Sequence, residues 1–123
     1  MISSNFGVYV YFFYFSECRQ NDLATTYRGQ VHKSSSGKLC QFWVAQAPFS
    51  HPYTTAANFS DDTMAEAGPF CRNPQGDKNQ TWCYTIDDVH VAWEYCDVLP
   101  FCCKLCLLFI ILNFYIFTFF TFL

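Results

Sequence analysis

Apolar residues gather at the two ends of this chain, and the stretch between them is polar. Residues 8–15 read VYVYFFYF, and residues 105–123 read LCLLFIILNFYIFTFFTFL, 19 residues without a charge. Between about residue 17 and residue 102, Ser, Thr, Asn, Gln and Asp are abundant. Within that middle the pattern predicts little regular structure. A single helical turn is expected in residues 60–67, where Ser-Asp-Asp-Thr has the form of a cap followed by acidic first-turn residues. Residues 81–85 and 91–95 are expected to pair as short strands across the turn Asp87, Asp88, Val89, His90. The tail 105–123 has about the minimum length for a membrane-spanning helix.

Composition sharpens this picture. A chain of 123 residues holds one domain plus flanking segments. Its 52% hydrophobic content is densest in the ends, so the more polar middle must draw much of its stability from cross-links. The eight cysteines read as disulfides in an oxidising compartment and as metal ligands in a reducing one. Zinc sites want close pairs, and the one C-x2-C here, Cys103 with Cys106, has no matching partner pair, so no metal is expected. The net charge is −3 and the seven basic residues are scattered, which speaks against nucleic acid as a partner. His32, His51 and His90 are too dispersed for a triad, and no nucleophile elbow, zinc-protease motif or phosphate loop occurs. Neither an enzyme nor a bound cofactor is expected.

The most informative stretch is residues 71–96, CRNPQGDKNQTWCYTIDDVHVAWEYC. It sets aromatic rings beside half-cystines, a way for a small domain to pack without a large aliphatic core. Its Asn-Pro-Gln-Gly-Asp segment carries turn-forming residues. CRNPxGD, then WCYT, then WEYC resemble the second half of a kringle domain, and YRG at residues 27–29 with SGKLCQFW at residues 36–43 resemble its opening blocks. The resemblance implies a small disulfide-rich kringle fold over residues 18–102. Such a fold is mostly loops and turns with a few short antiparallel strands. Segment 1–17 precedes it as a weak signal peptide or an incomplete start, and 103–123 follows as a hydrophobic helical tail.

Sequence alone leaves the cysteine pairing open. The resemblance implies Cys18–Cys102, Cys40–Cys83 and Cys71–Cys96. The family closes with C-x4-C, whereas Cys96 to Cys102 is C-x5-C and Cys103 follows at once. Cys102 is taken on spacing, with Cys103 as the alternative. Cys103 and Cys106 otherwise read as small apolar residues at a helix start.

Several kringles bind lysine in an aromatic trough with an anion at one end and a cation at the other. The resemblance places the trough aromatics at Trp82 and Trp93. Of the family's Asp-x-Asp anion pair, Gln75-Gly76-Asp77 keeps only Asp77. The positions of the two cationic contacts hold Ala92 and Tyr53. Trp82, Trp93 and Tyr84 have an alternative role as core rings beside disulfides, and Arg72 and Asn73 read as braces of the loop. The expectation is therefore a non-catalytic extracellular protein-binding module with weak or no free-lysine binding. Its partner would be a protein, engaged through a Lys or Arg side chain. The alternative is the docking domain of a larger secreted serine protease or kringle-bearing receptor. Asn58 and Asn79 are candidate glycosylation sites. Membrane attachment would run through residues 105–123.

Overall fold

Period-two alternation in two short aromatic stretches builds the centre of the molecule. The computed structural model describes residues 18–99 and 104–122. The expectations for residues 1–17, Cys102 and Cys103 lie outside them. Strands β1 (Trp82–Tyr84) and β2 (Trp93–Tyr95) pair antiparallel, with Trp82 opposite Tyr95, Cys83 opposite Glu94 and Tyr84 opposite Trp93. Because side chains alternate along a strand, all four rings fall on one face of the hairpin, and Cys83 with Glu94 on the other. The strands are shorter than the expected 81–85 and 91–95, but the Thr85 amide bonded to the Ala92 carbonyl extends their register. Asp88 makes the turn, accepting from the His90 amide, while Asp87 reaches across to accept from the Leu39 amide.

The free edge of β1 recruits two flanking segments. Trp82 exchanges both backbone hydrogen bonds with Arg72, and Gln41 and Ile86 bond the Tyr84 and Leu39 carbonyls. Each segment is then tied to the hairpin by a disulfide, Cys40–Cys83 and Cys71–Cys96. The two bridges lie against each other, with Cys40 Sγ 3.7 Å from Cys71 Sγ. The four sulfurs lie within 4.8 Å of one another, the grouping a thiolate metal site would need, but all four are consumed in S–S bonds. Sequence separations of 43 and 25 residues correspond to about 4 and about 3.5 kcal/mol of loop-closure stabilisation in the chain-entropy picture. Cys18 is also disulfide-bonded.

On the ring face Trp43, 1% exposed, is the hub. It meets Trp82, Phe59, Tyr53 and Tyr84 edge-on, with centroids 5.1–5.9 Å apart. That is the favourable geometry for rings whose faces are negative and edges positive. Its indole N–H donates to the Phe70 carbonyl, so the buried polar atom is satisfied.

The expected helical turn, α1, is Met64–Ala67, and it is not alone, since a 3-10 turn at Ala56–Asn58 precedes it. Its cap is Thr63, not Ser60. Thr63 Oγ1 accepts from the Glu66 amide and Glu66 returns a carboxylate to the Thr63 amide, so two orphan donors are satisfied reciprocally. Ser60 and Asp61 are thereby released for long-range contacts. Ser60 donates to the Tyr27 carbonyl. Asp61 receives Arg72 in a two-pronged fork at 2.8 and 2.9 Å, with both side chains 3% exposed. Arg72 also donates to the Gly29 and Cys71 carbonyls and sits over the Tyr27 and Phe70 rings, 5.6 Å from each centroid.

The tail forms helix α2, Lys104–Thr121. The expectation of a helix holds; the expectation of a membrane span is not supported. Among the described residues no helix is long and apolar enough to cross a membrane.

Burial makes Asp61 a stringent test of this framework. Asp61→Ala leaves a guanidinium buried without its counter-ion and should lower stability by about 3–5 kcal/mol. Urea unfolding with the disulfides intact measures it. A loss below about 1 kcal/mol, the range of exposed ion pairs, would show that Arg72 is held by its carbonyl partners alone.

Candidate functional site

The residues of the candidate groove gather where the loop after Cys71 meets the ring face of the hairpin. Pro74 to Gly76 makes one tight turn, with Gln75 and Gly76 both at positive φ, 57° and 70°. A side chain at Gly76 would put Cβ 3.3 Å from Thr25 Cγ2, so glycine suits both the conformation and the close approach. This reversal delivers Asp77 and Lys78 to the rings.

Asn73, 4% exposed, wires the loop in place. Its Nδ2 donates to the Leu23 and Lys78 carbonyls at 2.6 and 2.7 Å. Its Oδ1 accepts from the Lys78 amide and from the Trp82 indole N–H, at 3.1 and 3.2 Å. One side chain therefore fixes both the backbone of Lys78 and the orientation of Trp82. Arg72 and Asn73 brace the loop through these hydrogen bonds.

Asp77, Trp82, Trp93 and Tyr53 come together as one cluster. The Tyr53 hydroxyl donates to Asp77 Oδ2. The Tyr53 and Trp82 rings lie 5.8 Å apart, and Trp82 meets Trp93 edge-on at 5.8 Å. Their exposures differ sharply: Trp82 is 1% exposed, Tyr53 8% and Trp93 37%. Trp82 is thus a wall packed into the core, and Trp93 with the exposed Asp77 presents the accessible surface. Ala92, directly before β2, carries no charge.

Lys78 is the residue that sequence reasoning missed. Its ammonium lies 3.6 Å from the Trp93 ring centroid and 4.7 Å from that of Trp82, in the angle between two nearly perpendicular indoles. A signal was present, since the lysine directly follows the anionic position in a loop that must turn toward the rings. Of the candidate glycosylation sites, Asn79 is exposed. Asn58 is half-buried, with Oδ1 accepting from the Thr55 amide.

Burial comes first in setting the electrostatics, and it pushes the Tyr53 phenol far above its ordinary value. The hydrogen bond to Asp77 and that carboxylate's charge add to the shift. Tyr84 is raised by burial and then by the Asp77 charge. On the opposite face of the hairpin, Lys38 and then the Ser34 and Ser36 hydroxyls hold Glu94 down to about 2.

The model of the kringle domain family matches residues 18–102. The chain belongs to the kringle family. Kringles are non-catalytic modules that generally bind other proteins and are typically extracellular, and the crossed pair Cys40–Cys83 and Cys71–Cys96 is consistent with that family.

The raised Tyr53 phenol predicts alkaline sensitivity with a definite sign. Folded chains keep this proton after unfolded chains have released theirs. Its stabilisation is therefore full below about pH 10 and falls above it by about 1.4 kcal/mol per pH unit for that one group. Unfolding free energies measured from neutral to alkaline pH should show a shallower decline in Tyr53→Phe than in the parent. Parallel declines would show that the Tyr53 phenol does not supply the linkage.

Proposed function

We propose that this kringle is an extracellular protein-binding module whose groove does not capture free lysine. The observation that carries this is the state of the two ends of the groove. At the anionic end a single carboxylate, Asp77, already accepts the Tyr53 hydroxyl. At the other end Ala92 offers nothing to pair with a ligand carboxylate, and Tyr53, which the resemblance put at the second cationic position, instead gives its hydroxyl to Asp77. A hydrogen bond to a charged group contributes about 1.5–3 kcal/mol, so losing two such contacts lowers affinity for a zwitterion by orders of magnitude. A partner protein presenting an internal Lys or Arg has no carboxylate to satisfy, and it would engage Asp77 and the Trp93 face through charge and cation–π attraction. Crossed disulfides persist in oxidising compartments, which supports a place outside the cell. In that setting Asn79, exposed beside the groove, is the better-placed acceptor for a glycan.

Chromatography on immobilised lysine tests this. The oxidised chain should pass through unretained. Retention reversed by 6-aminohexanoate would overturn the reading, because that ligand needs both ends of the groove.

A further inference from the structure

Building on the degenerate groove described above, we propose that Lys78 is its specificity-determining residue. Its own ammonium is the resident cation on Trp93 and Trp82, and it keeps external lysine and arginine side chains off the rings.

Three observations converge on this. The ammonium is centred on the accessible ring at 3.6 Å and lies within 4.7 Å of the buried one, inside the distance of about 6 Å at which the ring quadrupole attracts a cation. Among the described residues no carboxylate lies within ion-pair distance of Lys78, so the rings are its electrostatic partner. Asn73 clamps the Lys78 backbone from both sides, through the Lys78 carbonyl and amide, and the same Oδ1 orients Trp82. Ring and cation are thus positioned by one buried side chain.

The consequence is competition within the chain. A tethered group acts at an effective concentration of about millimolar for a short flexible linker, and here the tether is a single braced residue. A free alkylammonium must displace it. So must a partner's lysine, which succeeds only when contacts elsewhere on the partner hold it in place. The groove is consequently selective for a docked protein over a soluble amine.

The experiment compares the parent chain with Lys78→Ala and Lys78→Arg, using n-butylammonium as a probe that needs no carboxylate contact. Binding is read from tryptophan fluorescence. Lys78→Ala should saturate at a concentration at least about tenfold lower than the parent, while Lys78→Arg, which keeps a cation over the rings, should behave as the parent does. Equal titrations for the parent and a folded Lys78→Ala would overturn the proposal. A second measurement does not depend on the variant folding. In the parent, ring currents should move the Lys78 methylene protons next to the ammonium upfield in the NMR spectrum, and unshifted protons would also overturn it. 6-Aminohexanoate, titrated in parallel, separates the two levels. Its tight binding to the parent would remove the reading of a degenerate groove, whereas a null result for Lys78→Ala with n-butylammonium removes only the role of Lys78.

Discussion

Two disulfides that touch at the centre of a three-residue-wide hairpin set the limits on everything else in this molecule. Cys40–Cys83 fastens the segment along the free edge of β1, and Cys71–Cys96 fastens the loop that carries the groove. The polar middle of the chain has little apolar surface to bury, and short isolated hairpins are marginal in water. The cross-links restrict the unfolded ensemble and bring the few large rings within reach of one another. Packing then finishes the work, with Trp43 as the hub where the aromatic edges converge.

The same geometry explains why the groove is attached to the core. Trp82 belongs to both, since one side of its indole meets Trp43 and its N–H is held by Asn73. The loop from Asn73 to Lys78 is held in place, because the Lys78 amide and carbonyl are tied to the buried Asn73 side chain, whose other partners are the Leu23 carbonyl and the Trp82 indole. Arg72, one residue earlier, is anchored by Asp61. Stability and recognition therefore draw on adjacent residues of a single loop.

Much of this was legible in the sequence, for reasons that differ from element to element. The hairpin could be placed because aromatic residues alternate with Cys83 at 82–84 and with Glu94 at 93–95, with turn formers between. The pairing of Cys40 with Cys83 and of Cys71 with Cys96 came from the resemblance of the surrounding blocks, since spacing alone leaves it open. The role of Asp61 was hidden. Ser60 to Asp62 has the local form of a helix start, and only the stronger Thr63–Glu66 box, one turn on, frees Asp61 to meet Arg72 across the fold. Lys78 was hidden too, because a lysine in a polar loop ordinarily points into water. Its place over Trp93 depends on the positive-φ reversal at Gln75 and Gly76, which residue types suggest only loosely. Trp82 could be assigned to the ring cluster by motif, but its near-complete burial follows from how Trp43 packs on it.

The central claim is that covalent sulfur links give the polar middle its shape. Proteolysis of the unreduced, thiol-blocked chain followed by mass spectrometry tests it most directly. The fold described here predicts one crossed peptide joining Cys40 to Cys83 and another joining Cys71 to Cys96. Blocked free thiols at these four positions, or bridges in any other combination, would contradict it.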